Sequence, residues 1–486
     1  MKRNFLTLAT ILVTLTCAPQ AYSLPIDWNG VFGVDTTLID NYRKVEGDTT
    51  NNTGTGSAET PLGPNNKESA SFQTYIFRLN PVMIVNDSAT LKAEITSGYA
   101  RGGRFGDSPK QNQEGNFGNA LYLYNVADED NTLSLNKFYA ELYSDTATYI
   151  IGRHSSHWGL GAVQNSGEGS WDRHAFVRDG ITMKLKLGNF ELSPYWAKLG
   201  LQNSLTRSSR AREYGASLLY DNIERDLSFG ILYSKKSTNA FSKAYAQNLD
   251  GGGVEYVAPS SVTLIDLYFR KAFGDFKFEV EVPFLSDDIG DLYGTGSAAE
   301  YKARAFLFES EYQLNNSWTF GLDAGQVSGD DGKQGNFEAM YLNPNYQIAN
   351  VLFRYNLRAM NDPQNLNVYD SYITNAMYLK LRTSFQTGKW LFNGALIYAK
   401  ANEVATNGQL AFDHLRNKTF TANADQSDDL GIELDLDFDY QWNNEVSVGG
   451  SMGYLMAGDY YKFTNTSSPN NADDSLLLQL RTTIDF

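Results

Sequence analysis

The chain of 486 residues contains a single cysteine and only 12 prolines. One cysteine excludes a disulfide framework and a zinc centre built on thiolates. An excess of positive charge is also lacking, because 56 acidic residues stand against 40 lysines and arginines and give a formal net charge of −16. Nucleic-acid-binding surfaces depend on clustered Lys and Arg, so we expect no nucleic-acid partner.

Long apolar runs are missing as well. Beyond the amino terminus, no segment reaches the roughly 18 apolar residues that a membrane helix needs. At the amino terminus, a basic start and an apolar stretch over 5–15 precede Ala21 and Ser23, which are small residues placed as before a cleavage site. This order is typical of a secretory signal peptide. We therefore predict a signal peptide over 1–23 and a single exported domain over 24–486.

The sequence instead alternates with a period of two residues, most clearly near its end. Apolar and acidic positions interleave at Ile432, Glu433, Leu434, Asp435, Leu436, Asp437, Phe438, Asp439 and Tyr440. Alternation fits either a soluble β-sandwich or a membrane barrel. The connections favour the barrel, because short turns such as 188–189 alternate along the chain with long polar stretches such as 102–131 and 401–428. Tight periplasmic turns and long external loops predict this asymmetry.

The alternation predicts an all-β fold, a transmembrane antiparallel barrel of about eighteen strands. The strands are predicted at 28–41, 70–80, 89–101, 132–143, 148–153, 176–187, 190–199, 212–221, 226–236, 261–272, 276–285, 300–313, 317–326, 372–386, 389–400, 429–440, 445–457 and 475–486.

One further segment, 349–359, alternates too, but Ile348, Val351 and Leu352 also fit helical spacing. Bacterial single-chain barrels have an even number of strands. We therefore predict that 327–371 is one long external or inward-folded loop with a short helix, and that it is the candidate constriction. A hidden strand at 335–343 that paired with 349–359 would raise the number to twenty.

The last strand ends in Phe486, with apolar residues at every second position before it. This ending resembles the C-terminal signal of bacterial outer-membrane barrels, which the outer-membrane assembly machinery recognises. The resemblance implies that Phe486 is the assembly signal and that the chain is located in the Gram-negative outer membrane.

A second resemblance covers about thirty residues. The segment includes Ile150-Ile151-Gly152-Arg153-His154, Gly159, Gly161, Trp171-Asp172-Arg173 and Arg178-Asp179-Gly180-Ile181. It is similar to a motif of alginate-export-type and related porin-like barrels, in which a strand ends in Gly-Arg-Gln and the next opens with Phe-Asp-Gly. In this sequence, His154 occupies the position of the Gln, and Arg178 occupies the position of the Phe. The resemblance implies a porin that conducts anions or polymers.

The face of each strand that avoids lipid should line the lumen. The predicted pore-lining residues are Lys184, Lys186, Arg270, Glu279, Glu281, Lys302, Arg304, Lys380, Arg382, Glu433, Asp435, Asp437, Asp439 and Arg481; Glu94, Glu213 and Asp266 are predicted to face inward as well. These charges either set a transverse field that selects solutes or form cross-strand ion pairs, for example Glu279 and Glu281 against Lys302 and Arg304.

The acidic row from Glu433 to Asp439 has no evident cation on the neighbouring predicted strands. We therefore expect it to be a solvated acidic wall that favours cations.

These observations predict a porin-like channel for passive diffusion of small hydrophilic solutes or ions. The alternatives are a plugged barrel that acts as an adhesin or structural protein, and a substrate-specific channel for an anionic saccharide. We expect no enzyme activity, no cofactor and no metal site, because the four histidines lie outside any catalytic motif. The expected partners are outer-membrane lipid, the assembly machinery and small polar solutes or ions; the oligomeric state stays open.

Overall fold

The structure is a computed structural model that describes most of the chain. The described residues are 25–45, 69–97, 101–105, 133–199, 211–237, 260–290, 292–293, 297–357, 368–369, 371–415, 417–466 and 469–486. The predicted signal peptide lies outside them.

Eighteen antiparallel strands form one closed barrel. In chain order they are β1 Ile26–Asp40, β2 Ala70–Asn86, β3 Ala89–Ser97, β4 Leu133–Tyr143, β5 Ala147–Ser155, β6 Val177–Leu187, β7 Phe190–Leu199, β8 Ala211–Asn222, β9 Leu227–Ser237, β10 Ser261–Phe273, β11 Phe276–Ser286, β12 Ala303–Gln313, β13 Trp318–Val327, β14 Ala376–Thr387, β15 Trp390–Ala401, β16 Asp429–Gln441, β17 Val446–Ala457 and β18 Ser475–Asp485. Each strand pairs with the next one along the chain, and β18 returns to β1 over the register from Val31↔Asp485 to Asp40↔Leu476.

Every predicted strand is confirmed. The largest difference is at β2, which continues to Asn86 rather than ending at residue 80. The short strand Gly102–Arg104 belongs to the barrel sheet and pairs with β2. Other short strands form separate sheets: Asp288–Gly290 and Ala299–Tyr301 pair with each other, and Leu410–Asp413 pairs with Lys418–Thr421. Within the described residues, no helix is long and apolar enough to cross a membrane.

Large apolar side chains cover the outside of the wall. On β16, Ile432, Leu434 and Leu436 are exposed while the residues between them are buried. Aromatic residues follow at the turn end, where Trp390 packs against Phe392 and Tyr440 with ring centroids 5.7 and 4.6 Å apart. A closed barrel with an apolar outer face and aromatic residues at its rim is a transmembrane barrel. The protein is therefore an integral protein of the bacterial outer membrane.

A bulge interrupts the alternation at the start of β16. Gly431 has φ +108°, and the register with β15 shifts between Ala399 and Lys400. A positive φ is readily available only to glycine, and the extra residue turns Leu430 to the inside, where it is 5% exposed.

The long-loop half of the lumen contains an apolar core. Inward side chains such as Leu307, Ile397 and Leu455 are fully buried and pack with apolar residues of the segment between β13 and β14. An apolar inner wall excludes water from the places it covers. The long-loop half of the barrel is thus largely filled by its own chain.

The segment predicted at 327–371 folds inward, but its predicted short helix is wrong for the described part. Ile348, Val351 and Leu352 lie in turns or irregular backbone. The described strand nearby is the two-residue Asn336–Phe337. Because these side chains reach several faces of the barrel core, their apolar spacing does not imply one helical face.

A glycine notch at the closing seam holds the terminal residue. Gly30 exchanges backbone hydrogen bonds with Phe486 at 2.6 and 3.0 Å, and a Cβ on Gly30 would lie 2.4 Å from the Arg78 carbonyl oxygen and 2.8 Å from the Phe486 ring. Gly30→Ala is expected to destabilise the folded barrel by roughly 1–3 kcal/mol, the cost of overpacking. The temperature at which the folded form disappears on a detergent gel should fall.

The control is Gly394→Ala in β15, where a Cβ would meet only ordinary contacts at 3.6 Å or more. Equal stability of the two variants would show that the notch at Gly30 is not tight. The role of Phe486 as an assembly signal stays a prediction.

Candidate functional site: two inner loops in the lumen

Residues 156–176, which join β5 to β6, fold into the barrel and are named loop A. Buried cations on β2, β4 and beside β3 hold its backbone. Arg101 donates to the carbonyl oxygens of Gly167 and Asp172 at 2.6 and 3.0 Å. Arg78 donates to the same Gly167 carbonyl at 2.7 Å. Because guanidinium groups carry several donors in a fixed plane, two arginines can fix several carbonyls of a loop that has no regular structure.

Glu94 completes this side of the anchor. Its carboxylate accepts from Arg101 at 2.8 and 2.9 Å and pairs with Lys137 at 3.0 Å. Arg101 and Glu94 are both 2% exposed. Charges so deeply buried require close partners, so the anchor forms one connected network.

Loop A is also held at distant points of the wall. Arg173 pairs with Asp35 of β1 at 3.2 Å and donates to the Tyr75 carbonyl of β2. On another side, Glu281 of β11 accepts from the backbone N–H of Leu160 at 2.5 Å. Contacts on β1 and β11 mean that loop A extends across a large part of the lumen.

The described residues between β13 and β14, which are 328–357, 368–369 and 371–375, form the second inner loop, named loop B. Glu433 of β16 is fully buried and accepts from the backbone N–H groups of Asn350, Val351 and Leu352 at 2.8, 2.6 and 2.8 Å. Lys380 of β14 donates to a loop B carbonyl, that of Ile348, at 2.8 Å. Loop B is thus attached to the wall through its backbone.

The two inner loops meet inside the barrel. The Asn343 N–H of loop B donates to the Ala162 carbonyl of loop A at 2.7 Å. The side chain of Asn345 donates to the His174 carbonyl at 2.7 Å and accepts from the His174 N–H at 3.2 Å. Arg173 also lies over the Tyr369 ring, 4.3 Å from its centroid. The junction therefore joins the two loops to each other within the lumen.

The turn-end half of the lumen is more open and carries charges of both signs. Arg382 pairs with Asp323 at 3.0 Å and with Glu311 at 3.5 Å, and Asp439 pairs with Arg481 at 2.8 Å. The side chains of Asp439 and Arg481 are 35% and 20% exposed. This half forms a charged vestibule below the two inner loops.

Most predicted pore-lining residues occupy the inward side of their strands. Lys184, Lys186 and Arg270 are exposed there, and Glu279 pairs with Lys277 at 2.8 Å. Glu281 and Lys380 instead hold the inner loops. Whether any of these residues contacts a permeating solute stays a prediction.

Two of the predicted pore-lining residues are placed differently. Arg304 lies on the outward side of β12, opposite Phe284 and next to the exposed Phe306. Lys302 precedes the strand and pairs with Glu300 at 2.8 Å. The predicted ion pairs with Glu279 and Glu281 are therefore wrong: those residues face Glu309 and Leu307 in the register. Residues 303–308 are largely apolar at both sets of alternate positions, so the sequence did not show which face of this strand is turned to the lumen.

The acidic row is also different from the predicted solvated wall. Glu433 and Asp435 are 0% and 3% exposed because loop B covers them. Asp437 accepts from the Asn350 side chain at 3.1 Å, and Asp439 has Arg481 as its cation. Of the acidic row, only the end at Asp439, which is nearest the short turns, is near the open vestibule.

Of the other inward predictions, Glu213 pairs with Arg178 at 3.0 Å, and Asp266 is fully buried near Glu281. His154 bonds Thr182 at 2.8 Å. Within the described residues, no group of three or more potential metal ligands is present. Arg153 and Asp179 of the alginate-export-type motif form an ion pair at 2.6 Å on the outward face, and that resemblance stays a prediction.

Sequence reasoning missed the anchors of loop A. Arg78 and Asp35 lie on inward positions of predicted strands, so alternation could have found them. Arg101 and Arg173 lie in loops. Arg101 binds largely to backbone carbonyls, which leave no trace in the sequence, and Arg173 binds mainly side chains that are distant along the chain, such as Asp35 and Thr74.

The junction of the inner loops contains a titratable group. Burial lowers the pKa of His174 to about 4, and the nearby Arg101 and Arg173 act in the same direction. In the undocked loop its pKa is about 6.5. The undocked form therefore gains a proton as the pH falls below about 6.5, whereas the docked form stays neutral down to about pH 4, so the junction weakens over this window. Conductance in planar bilayers should therefore increase as the pH falls from 6.5 to 4.

His174→Gln should reduce this increase, whereas His157→Gln, at an exposed position of loop A, should retain it in full. Burial raises the pKa of Asp172, and its contribution has the opposite sign. Burial also lowers the pKa of His414, which accepts from the Asp330 N–H of loop B at 2.8 Å, and this contribution has the same sign and remains in both variants. An unchanged pH profile in His174→Gln would contradict the assignment.

The fold is similar to those of several solved bacterial proteins. OccK9 (OpdG) of Pseudomonas aeruginosa is 13% identical with a TM-score of 0.49, over 95% of this chain and 99% of that chain. OccK2 (OpdF) of the same organism is 11% identical with a TM-score of 0.48, over 95% and 98%. OmpT of Vibrio cholerae, as a loop L8 deletion mutant, is 8% identical with a TM-score of 0.39, over 95% and 99%. No protein-family description and no curated protein matches the sequence.

Proposed function

We propose that this outer-membrane barrel is a non-catalytic, constricted channel for small hydrophilic solutes or ions. The observation that carries the proposal is the junction of the two inner loops, where Asn343 bonds Ala162 and Asn345 bonds His174. An eighteen-strand wall is wide enough to enclose an aqueous channel unless a loop fills it. Two loops that meet within the lumen reduce it to a passage whose size they determine.

The charged vestibule supports a polar cargo. Arg382 and Arg481 each keep a carboxylate partner yet stay partly exposed. Lys184, Lys186 and Arg270 add exposed cations on the same inner surface. Charges of both signs around a narrow passage orient and select polar solutes. A substrate-specific channel for an anionic solute is the narrower form of this proposal, supported by these three cations.

Single-channel recording of the purified full chain in planar bilayers tests the proposal. We expect steps smaller than those of an open barrel of the same strand number, and a rise in conductance when loop B is released. The reversal potential in a salt gradient then reports the ion preference. Large steps from the unsubstituted protein would contradict a constricted passage.

A second candidate is a barrel closed at rest. It is favoured by the apolar core, in which Leu307, Ile397 and Leu455 of the wall are fully buried under loop B. Electrical silence of the unsubstituted protein, together with channel activity after loop B is released, would identify this closed form.

A further inference from the structure

A cationic patch lies on the outer surface of the barrel, at the long-loop end. Lys198 of β7 and Arg212 of β8 are directly opposite each other in the register, and both are exposed. They share their face with Trp196 and Tyr214, which are 51% and 44% exposed and also stand opposite each other. Because side chains alternate along a strand, all four point away from the lumen.

The pairing of Lys198 with Arg212 is unusual because like charges that face each other across two strands destabilise a sheet. On the other side of Lys198, Asp179 of β6 stands opposite it in the register, but the Asp179 carboxylate is held by Arg153 at 2.6 and 2.7 Å. The cations beside them are compensated: Arg153 pairs with Asp179 and Lys235 with Asp287, at 2.6 and 3.3 Å. The row of Arg153, Asp179, Lys198 and Arg212 across β5 to β8 therefore carries three positive charges against one negative charge.

The height of the patch in the membrane follows from the strand geometry. Lys198 and Arg212 are each two residues from the aromatic pair Trp196 and Tyr214, which corresponds to about 7 Å along the strand. Exposed Trp and Tyr rings on a membrane barrel mark the headgroup boundary. The two cations thus lie at or just beyond this boundary, on the side of the long external loops.

We propose that Lys198 and Arg212 bind a phosphate of the phosphorylated glycolipid in the outer leaflet of the outer membrane. A phosphate between the two side chains would replace their mutual repulsion with two charge-assisted interactions. Arg presents a planar pair of donors that matches a phosphate, and Lys adds a point charge. The apolar surface below, which includes Trp196, lies beside the acyl chains of the same lipid.

The test measures binding of purified lipopolysaccharide to the full-length folded protein in detergent. The double variant Lys198→Gln with Arg212→Gln should bind about 25-fold more weakly, about fivefold for each cation near an anionic surface. The control is Lys271→Gln with Lys389→Gln, which removes two cations from the turn end of the barrel. It should bind as tightly as the unsubstituted protein.

Dephosphorylated lipopolysaccharide should bind the unsubstituted protein as weakly as the intact lipid binds the patch variant. Equal binding by the patch variant and the unsubstituted protein would overturn the proposal. So would equal binding of intact and dephosphorylated lipid, or equal binding of phosphatidylglycerol, which would indicate a site for any anionic lipid. A detergent gel at room temperature and after heating establishes that each variant is folded.

Discussion

Glu433→Ala is expected to release loop B and to raise the single-channel conductance several-fold. The carboxylate of Glu433 accepts three backbone N–H groups, those of Asn350, Val351 and Leu352, in a site that water does not reach. A hydrogen bond to a charged group contributes roughly 1.5–3 kcal/mol. The Asn350 N–H keeps a second acceptor in Asp435, at 3.1 Å, whereas the N–H groups of Val351 and Leu352 lose theirs. Loss of these two should weaken the docking of loop B by about 3 kcal/mol or more, which is about a hundredfold in its docking equilibrium.

The control for this experiment is Asp439→Ala in the same acidic row. It removes the same charge from the same strand, but Asp439 contacts Arg481 in the vestibule rather than loop B. Its conductance should stay close to that of the unsubstituted protein. If both variants conducted alike, the change would reflect the charge of the lumen and not the release of loop B. Silence of Glu433→Ala would show that loop A closes the barrel by itself.

The membrane explains why the wall was predictable from the sequence. Lipid requires an apolar side chain at every second position, so Ile432, Leu434 and Leu436 reveal both the strand and its outer face. The inner face has no such requirement. Inward residues can be polar in water, as Asp439 is, or apolar under a loop, as Leu455 is.

The candidate site was less predictable for the same reason. Sequence alternation places Glu433 and Asp439 on one face, yet one is buried under loop B and the other is part of the vestibule. The difference depends on where a long loop between other strands comes to lie. For Arg304, an outward cation near the end of a strand can extend its charged group to the headgroups, so its charge did not imply a lumen position.

Arg101→Ala should produce the largest loss of stability. Arg101 makes two hydrogen bonds to Glu94 and also holds the carbonyls of Gly167 and Asp172. Removal of one partner from a buried ion pair costs roughly 3–5 kcal/mol, because the remaining charge is left without compensation. Lys137, 3.0 Å from Glu94, offsets part of this cost. Urea unfolding in detergent should shift to lower concentration, and amide hydrogen exchange in loop A should accelerate.

Arg153→Ala is the matched control, since Arg153 forms the same two-bond arrangement with Asp179 at 2.6 and 2.7 Å. Its side chain and that of Asp179 are 48% and 39% exposed, and exposed pairs contribute less than about 1 kcal/mol. Arg153→Ala should therefore leave the unfolding midpoint and the exchange of loop A nearly unchanged. Equal losses in the two variants would mean that burial does not distinguish the pairs, and that Arg101 is not the anchor of loop A.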